Sequence, residues 1–382
     1  MADFNSPNIY LVAGEPSGDI LGDQLIKELS KRFNSPKFYG VGGSKMKEND
    51  FESLFNMNEI TFFGILPVLK KLFFLVRRIN VVVNDIFEKK PDIVILIDSP
   101  DFNHRVAKKV KKRLPNLNVV CYVAPSVWAW RQGRAKKMSK YFTHLLSIIP
   151  FEVEFFNKYG LKTTYVGHPV TEILNNLKEN SLEEKYHLND EKLVIYLPGS
   201  RKGEIERHSS VMMQSINELK MIYPEINILI IASSNQIELI KNNFPNVQIV
   251  SNDNDKFLLF KKADIACAAS GTVTLELGIC ETPTIVTYKM DNFTWFFVSR
   301  LVKVKFVSLV NLILGKESSK ELLQNEFSSD NIVKEIKKLI TDSEVLNKQN
   351  EDLKQFKSLM YTDIKNPSEK ASEVIKNIIV DD

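Results

Sequence analysis

The chain of 382 residues carries a formal net charge of +4 at pH 7, and 44% of its residues are hydrophobic while 26% are charged. This length fits two domains better than one hydrophobic core, and the composition excludes a largely disordered chain. Nucleic-acid binding usually requires a dense basic face, so this mild net charge predicts no nucleic-acid partner.

Cysteine usage and the first residues predict where the protein works. Cys121, Cys267 and Cys280 lie far apart and form no CxxC pair, so we expect no zinc site, no disulfide framework and a reducing cytosol. Residues 1–7 lack the basic and apolar regions of a signal peptide. No stretch offers the ~18 uninterrupted apolar residues of a spanning helix. We therefore expect a cytoplasmic protein that reaches the inner face of a membrane from the side.

Short apolar runs alternate with helical patterns in the first half of the chain, which is typical of βαβ units in a parallel sheet. The predicted strands are residues 9–13, 93–97, 119–123 and 145–148. Helices are predicted at 18–33 and 76–90, the second because apolar residues recur on one face at helical spacing.

The same alternation restarts after the polar, charge-rich stretch 175–190. The second set of predicted strands is residues 193–197, 228–232, 247–250, 265–268 and 284–286. The pattern predicts an α/β protein with two doubly wound domains facing a cleft, residues 1–172 and 173–340, and C-terminal helices at 341–382. Ligands of open parallel sheets bind beyond the carboxyl ends of the strands, where candidate site residues are therefore expected.

The first predicted strand ends in a glycine-rich turn that leads into a helix. Glu15 lies at the tip of the strand, and Ser17 and Asp19 follow it. Ser17 or Asp19 can cap the helix and leave backbone amides free for an anion or a hydroxyl. An ordinary capped connection explains these residues too, but it does not need Glu15, which we therefore predict to be functional.

A second carboxylate, Asp98, follows the strongly apolar strand 93–97. Group transfer to a hydroxyl requires a base that removes its proton, and Asp98 is well placed to do so. Asp98 could instead cap the next helix, although Asp101 suits that role better. Between Asp98 and Glu15 we predict Asp98 as the base, because the tip of a buried strand fixes a carboxylate better than a glycine-flanked turn.

Two tryptophans beside arginines follow the next predicted strand. Trp128 and Trp130 precede Arg131 and Arg134. Such a segment can line a cleft and bind a sugar or a phosphate. Tryptophans of the core are the equally weighted alternative.

Two loops of the second half resemble parts of a nucleoside-diphosphate site. Gly199, Ser200 and Arg201 lead from a strand into a helix, where small residues admit a phosphate and the arginine adds a forked charge. The loop at 269–276 offers hydroxyls and free amides for a diphosphate and a glutamate for ribose hydroxyls. Its candidate residues are Ser270, Gly271, Thr272 and Glu276.

Neither a Walker motif nor a dinucleotide-binding motif occurs, so the paired loops fit a nucleotide-sugar better. Asp253 and Asp255 have the spacing of a metal-binding DxD motif, but the turn fits a polar helix cap better. We predict no metal and no cofactor.

The stretch 62–78 is too apolar for a loop and too short and too charged to span a membrane. Apolar bulk flanked by paired cations is typical of a segment that inserts shallowly beside anionic lipids, and a buried core helix is the alternative. The predicted membrane-facing residues are Phe62, Phe63, Leu66, Leu69, Lys70, Lys71, Phe73, Phe74, Arg77 and Arg78. Residues 293–314 again combine apolar residues with cations, which predicts a lipid-facing segment or a dimer interface.

Several of these segments together resemble one family. The stretches AGEPSGD, GVGG, DSPDFN, YVAPSVWAWRQGR, PFEVEFF, YVGHP, LPGSRKGEI and ASGTVTLEL occur in the order and spacing of lipid-A-disaccharide synthases, over roughly residues 9–325. The resemblance implies a two-domain GT-B fold and an inverting, metal-independent transfer. It also implies the donor UDP-2,3-diacylglucosamine and the acceptor 2,3-diacylglucosamine 1-phosphate, with a β-1,6-linked disaccharide 1-phosphate and UDP as products.

The resemblance also assigns roles to residues of this sequence. It places the donor on Arg201 and on the loop from Ser270 to Glu276, makes Asp98 the base, and puts Ser17 and Glu15 on the acceptor side. Trp128 and Arg131 are further acceptor-side candidates. The resemblance implies a homodimer that exchanges C-terminal segments, which would bring Asn311 towards the site.

Two other classes of function compete with this interpretation. One is a different UDP-sugar enzyme, either a membrane-associated GT-B UDP-GlcNAc transferase or an epimerase, although an epimerase needs no apolar segment at 62–76. The other is a non-catalytic membrane protein that binds a UDP-sugar, against which the presence of Asp98 and Arg201 argues.

Overall fold

The computed structural model describes residues 6–60, 65–130, 132–178, 181–291, 294–295, 300, 304–361, 363 and 366–380, with the side chains of 65–72 and 130 left aside. The chain divides into two compact units. The first comprises Met1–Glu172 with Tyr361–Asp382, and the second comprises Ile173–Met360.

The first unit is built on a parallel sheet of seven strands in the order β3-β2-β1-β4-β5-β6-β7. Its strands are β1 (Asn8–Ala13), β2 (Lys37–Val41), β3 (Glu52–Ser53), β4 (Ile93–Ile97), β5 (Asn118–Tyr122), β6 (His144–Ser147) and β7 (Thr163–Tyr165). Every residue of β4 is fully buried. Burial on both faces explains why the central strands read as continuous apolar runs.

Helices connect these strands, and the longest bury one apolar face each. They are α1 (Pro16–Arg32), α2 (Ser44–Lys47), α3 (Ile65–Lys89), α4 (Pro100–Arg113), α5 (Val127–Trp130), α6 (Gly133–Met138), α7 (Glu152–Asn157) and α8 (Pro169–Asn175). In α3, Ile79, Val83 and Ile86 are buried at helical spacing against the first core.

The second unit repeats the architecture with six parallel strands in the order β10-β9-β8-β11-β12-β13. Its strands are β8 (Leu193–Leu197), β9 (Asn227–Ile231), β10 (Gln248–Val250), β11 (Ile265–Ala269), β12 (Thr284–Tyr288) and β13 (Glu321–Leu323). Its helices are α9 (Leu182–Lys185), α10 (Lys202–Ile222), α11 (Ile237–Asn243), α12 (Asp253–Lys262), α13 (Thr272–Ile279), α14 (Leu309–Leu314), α15 (Ser329–Thr341) and α16 (Ser343–Met360).

The sequence predicted separate C-terminal helices over 341–382. In the structure these helices are divided between the two units. Helix α16 packs on α13, α14 and α15 of the second unit. The last helix, α17 (Pro367–Val380), packs on α1. Its residues Ala371, Ile375 and Ile379 complete the first hydrophobic core, and Arg32 of α1 donates to Ser372 Oγ at 2.6 Å.

Each sheet reverses its strand order once, and this determines where a ligand site can form. The reversal lies between β1 and β4 in the first sheet and between β8 and β11 in the second. Loops that leave two such neighbouring strands run in opposite directions and open a crevice at their carboxyl ends. Glu15, Ser17 and Asp98 follow β1 and β4, and the two donor loops, 199–201 and 270–276, follow β8 and β11.

Candidate active site

Asp98 follows β4 at the reversal point of the first sheet, and the backbone there is strained. Asp98 and Ser99 have φ of 54° and 42°, in the left-handed region that residues with a Cβ rarely adopt. Val123, after the neighbouring β5, has φ of 74°, which is an outlier for a β-branched residue. Such strain, about 1–3 kcal/mol per residue, persists where the surroundings hold it and is concentrated at functional sites.

Asp98 is half-buried, and two hydrogen-bond donors hold its carboxylate. Its Oδ2 accepts from Ser17 Oγ at 2.8 Å, and its Oδ1 accepts from the backbone N–H of Ser99 at 2.9 Å. Asn103 Nδ2 donates to the Asp98 carbonyl at 2.7 Å and to the Ile97 carbonyl at 3.0 Å. Each carboxylate oxygen keeps a second lone pair, so Asp98 can still accept a hydrogen bond from a hydroxyl.

The turn after β1 packs closely on the turn after β4. A Cβ on Gly14 would lie 2.5 Å from Ser99 Oγ, so the two turns can approach this closely only with glycine there. Glu15 occupies the N-cap position of α1 with an extended backbone, and Pro16 begins the helix. The structure brings Ser17 and Asp98 together as the sequence predicted for one site.

The predicted capping roles in the first unit are wrong. The start of α1 has no side-chain cap. Asp19 is buried and instead accepts from the backbone N–H groups of Gly43, Lys45 and Met46, at 2.7 to 3.2 Å, where α2 begins. Ser99, not Asp98 or Asp101, is the N-cap of α4.

Trp128 is buried, and its indole N–H already has a partner. Its Nε1 donates to Glu152 Oε1 at 3.1 Å, and its ring meets Phe151 edge to face at 5.1 Å. Ser147 Oγ donates to the other oxygen of Glu152 at 2.6 Å. Burial raises the pKa of Glu152 to about 7, although these hydrogen bonds partly offset the rise. Trp128 thus anchors α5 within the core, while Arg131 lies outside the described residues.

The second unit contains a pocket of about 350 Å³ at the carboxyl ends of β8, β9 and β11. All the predicted donor residues except Arg201 line it: Gly199, Ser200, Ser270, Gly271, Thr272 and Glu276. Lining residues that the sequence did not single out include Ser233, Ser234 and Lys256. Two loops separated by about 70 positions thus meet around one cavity, as the paired motifs predicted.

The loop after β8 is shaped by Gly199 and Glu204. Gly199 has φ of 125°, and a Cβ there would lie 2.8 Å from that of Glu204. Glu204 Oε2 accepts from the backbone N–H groups of Ser200 and Arg201, both at 3.3 Å, and Arg201 Nη1 reaches Glu204 Oε1 at 3.1 Å. These two amides are therefore engaged within the loop. The Arg201 side chain remains 78% exposed and is the cation that the loop presents.

The loop after β11 presents the N-terminus of α13 to the pocket. The first amides of a helix have no intrahelical partner and carry its positive dipole end, so Gly271, Thr272 and Val273 line a site suited to an anion. Ser270 Oγ donates to the Val307 carbonyl at 3.0 Å, which fixes the start of the loop.

Lys256 of α12 forms an ion pair with Glu276 in the same pocket. Its Nζ lies 2.8 Å from Glu276 Oε2, and both side chains are largely buried. The ammonium also lies 4.4 Å from the centre of the Phe257 ring. Lys256 is a site residue that sequence analysis missed, because nothing in the pattern of α12 indicates which cation turns towards the strand ends.

Asn311, predicted on the acceptor side, is fully buried in the second unit. Its Nδ2 donates to the Ser319 carbonyl and to Glu321 Oε1, and its Oδ1 accepts from the N–H groups of Ser318 and Ser319, all at 2.7 to 2.9 Å. Glu321 also accepts from the N–H of Val307. Asn311 therefore orders the segment that contains Val307, whose carbonyl accepts the hydrogen bond from Ser270 Oγ.

The DxD-like segment lies at the start of α12, as predicted for a helix cap, but neither aspartate is the capping residue. Asn252 is the N-cap of α12 and accepts from Asp255 N–H at 3.0 Å. The Asp255 carboxylate is buried and binds Lys185 and Tyr186 Oη. Within the described ranges, no cluster of three or more histidine, cysteine, aspartate or glutamate side chains is arranged to hold a metal ion.

Only part of the predicted membrane-facing stretch can be described. Phe62 and Phe63 lie outside the described residues, as do the side chains of Leu66, Leu69, Lys70 and Lys71. Phe73 is 87% exposed, and Phe74 and Arg77 are exposed beside it. Arg78 is engaged, because it pairs with Glu59 and lies 4.7 Å from the centre of the Phe55 ring. Among the described residues, no helix is both long enough and apolar enough to cross a bilayer.

Comparisons with known proteins assign the chain to a family. The family model described as Lipid-A-disaccharide synthetase matches residues 9–375. The chain is 36% identical over 376 residues to the Lipid-A-disaccharide synthase of Nitrobacter winogradskyi, covering 97% of this chain and 95% of that protein.

Solved structures confirm the predicted fold class. A Staphylococcus aureus MnaA–UDP co-structure is similar with a TM-score of 0.64 at 13% identity, over 97% of this chain and 95% of that one. The glycotransferase of kitacinnamycin is similar with a TM-score of 0.64 at 11% identity, over 98% and 99% of the two chains. The fold is α/β with two Rossmann-like units, as in GT-B glycosyltransferases. The chain belongs to the lipid-A-disaccharide synthase family, the glycosyltransferases that form the disaccharide of lipid A.

Proposed function

We propose that the donor is UDP-2,3-diacylglucosamine and the acceptor is 2,3-diacylglucosamine 1-phosphate. The observation that carries this proposal is the pocket of the second unit, where two strand-end loops surround one cavity. The amides at the start of α13 and the exposed guanidinium of Arg201 would bind the diphosphate. Glu276, held by Lys256, would accept hydrogen bonds from the ribose hydroxyls.

The first unit supplies the base in this proposal. The 6-hydroxyl oxygen of the acceptor attacks the anomeric carbon of the donor, and the bond from that carbon to the diphosphate oxygen breaks. Asp98 removes the hydroxyl proton, and the electron pair of the broken bond leaves with UDP. Attack from the face opposite UDP inverts the anomeric centre and gives a β-1,6 linkage. Arg201 stabilises the charge that develops on the leaving diphosphate.

The other acceptor-side residues have supporting roles. Ser17 orients Asp98 through its 2.8 Å hydrogen bond, and Glu15 lies in the same turn, where it can meet acceptor hydroxyls. Trp128 holds the segment that leads to Arg131, which we propose as a contact for the acceptor phosphate. Asn311 orders the 307–319 segment beside the donor loop instead of touching the acceptor.

The substrates carry acyl chains, and we propose that the protein binds them at the cytoplasmic face of the membrane. An exposed pair, Phe73 and Phe74, lies beside the exposed cation Arg77 on α3. Exposed aromatics beside cations favour shallow insertion among anionic head groups.

Vesicles test the membrane surface directly. Replacing Phe73 and Phe74 with alanine should weaken binding to phosphatidylglycerol-containing vesicles about tenfold, since each exposed phenyl ring loses its transfer into the bilayer. The matched control is Phe87→Ala, an exposed phenylalanine near the other end of the same helix. Equal losses in the two proteins would contradict this surface.

We also propose that the protein forms a homodimer by exchange of its C-terminal segment. Helices α16 and α17 belong to different units and are separated by six residues, 361–366. Exchange between two copies would reproduce the same contacts in both chains. Light scattering after size-exclusion chromatography would show a dimer, and a monomer at all working concentrations would contradict exchange.

The reaction is tested by UDP release in detergent micelles. Purified protein would receive the diacylated UDP-glucosamine with and without the acylated 1-phosphate acceptor, and the products would be identified by mass. We expect acceptor-dependent UDP release and a tetra-acylated disaccharide 1-phosphate. Tight UDP binding with no product would contradict the proposed acceptor and favour another UDP-sugar transferase or a binding protein.

A further inference from the structure

His208 is a fully buried histidine of α10 whose two ring nitrogens both have backbone partners. Its Nδ1 lies 2.8 Å from the Pro198 carbonyl oxygen, and its Nε2 lies 3.0 Å from the Lys289 amide nitrogen. A carbonyl only accepts and an amide N–H only donates, so Nδ1 carries the proton and Nε2 is bare. Burial lowers the pKa of His208, which agrees with a neutral ring.

The two partners of His208 belong to separate parts of the second sheet. Pro198 follows β8 and immediately precedes Gly199, whose positive φ begins the loop that ends in Arg201. Lys289 follows β12, which is separated from β8 by β11. The imidazole therefore connects the loop after β8 to the end of β12. Strand β11, which lies between these two strands, leads into the donor loop 270–276.

Neighbouring contacts hold the ring in one orientation. The imidazole meets Tyr288 and Phe327 edge to face, at 5.7 and 5.2 Å between ring centres. The adjacent Arg207 donates from Nε to the Lys289 carbonyl at 3.1 Å, which adds a second connection to the same residue. A ring so confined cannot turn away from Pro198 without leaving buried polar groups unpaired.

We propose that His208 is a positioning residue, which holds the loop from Pro198 to Arg201 so that Arg201 meets the diphosphate of the donor. This inference rests on the proposed donor site. His208 does not line the pocket, so it acts through the loop. Loss of His208 should weaken the binding of ligands that carry the diphosphate and leave the affinity for the nucleoside almost unchanged.

Three substitutions separate hydrogen bonding from packing. In His208→Gln the amide nitrogen can donate to Pro198 and the amide oxygen can accept from Lys289, as the ring nitrogens do. In His208→Leu the volume is filled but both hydrogen bonds are lost, and His208→Met offers a more adaptable apolar filling. Calorimetry would measure the affinity for UDP, and competition against UDP would measure the affinity for uridine.

We expect His208→Leu to bind UDP at least ~10-fold more weakly, as the loss of about 1.4 kcal/mol in loop positioning implies, with uridine affinity changed less than about twofold. His208→Gln should restore UDP affinity to within about threefold of wild type. Equal weakening of UDP and uridine, or no rescue by glutamine, would overturn the proposal. So would failure of both apolar variants to fold, since the ring would then serve folding alone.

The outcome for the wild-type protein separates this proposal from the proposed function. A wild-type protein that bound neither UDP nor uridine would contradict the donor site itself. Wild-type binding of UDP with unchanged UDP affinity in His208→Leu would contradict only the positioning role.

Discussion

The two sheets share a topology, but their reversal points are constructed differently. In the first unit, Asp98 and Ser99 hold left-handed backbones, and hydrogen bonds from Ser17 and Ser99 fix one carboxylate. In the second unit, Gly199 is the one residue lining the pocket with such a φ, and the strand-end loops leave a cavity of about 350 Å³.

The difference follows from what each site must do. A base needs one side chain held in a single position, and backbone strain of about 1–3 kcal/mol per residue is compatible with that purpose. A nucleotide needs space, helix-end amides and a small number of fixed polar groups. Variants that affect catalysis in one unit and affinity in the other would sharpen the comparison.

The largest effect should come from Asp98→Asn. The amide cannot accept the hydroxyl proton, so turnover should fall by about 10²–10⁴-fold. The affinity for UDP should stay at the wild-type value, because Asp98 belongs to the first unit. Steady-state kinetics in micelles and calorimetry with UDP would measure the two quantities. Near-normal turnover of Asp98→Asn, with Glu15→Gln inactive, would make Glu15 the base.

Glu152→Gln should change how the stability of the first unit depends on pH. The folded pKa of Glu152, about 7, exceeds its ordinary value of 4.5, so its contribution is fully present below about pH 4.5 and is lost as pH rises through 7. The free energy of unfolding of the variant, relative to that of wild type, should therefore rise by on the order of 2 kcal/mol between about pH 5 and about pH 8.

Urea unfolding followed by tryptophan fluorescence at the two pH values would measure this gain. Trp128 is itself a partner of Glu152, so its emission reports on the region concerned. Calorimetry with UDP serves as the control, since the donor pocket lies in the other unit. A difference between variant and wild type that did not vary with pH would contradict a buried, proton-binding Glu152.

Glu276→Gln should weaken UDP binding about tenfold. The variant loses the charge that strengthens hydrogen bonds from ribose hydroxyls and leaves Lys256 without its anionic partner. The control is the 2′,3′-dideoxy form of UDP, for which the loss should be smaller because the ribose hydroxyls are absent. An equal loss for both ligands would assign Glu276 to the structure of the pocket instead of ribose recognition.

The smallest effect should come from Ser17→Ala, which should lower turnover about fivefold. Ser17 is exposed, so we expect its hydrogen bond to Asp98 to contribute about 1 kcal/mol, less than the ~1.5–3 kcal/mol typical of hydrogen bonds to charged groups. Ser17→Thr retains the hydroxyl and should retain most of the turnover. A change in KM alone would mean that Ser17 contacts the acceptor and does not orient Asp98.

The central strands could be predicted from sequence because burial on both faces leaves a continuous apolar run. The bounds predicted for β4 and β8 agree with the structure, and those for β1 and β5 differ by one residue at one or both ends. The short edge strands β3, β7 and β13 were missed, since two or three residues of mixed polarity have no such signature. The interior strand β2 was missed too, because Lys37 and Gly40 interrupt its apolar residues. Because the ends of the central strands were predicted, the loops that follow β1, β4, β8 and β11 could be identified as candidate site loops.

Contacts between residues distant in sequence could not be predicted. Asp19 looks like a cap of its own helix, yet it binds amides about 25 positions away. Trp128 looks like a ligand for a sugar until Glu152 is seen to accept its N–H. Lys256 and His208 lie on helices whose patterns do not indicate which polar side chain faces a strand end. The division of α16 and α17 between two units is likewise decided by tertiary packing.

Hydrogen–deuterium exchange with and without UDP tests the central claim most directly, because it reports on backbone amides along the whole chain. We predict that UDP slows exchange of the amides at 271–273, where α13 begins, and leaves the amides at 98–103 of the first unit at their unliganded rates. Protection confined to the loops of the first unit, with 271–273 unchanged, would contradict the placement of the donor in the second unit.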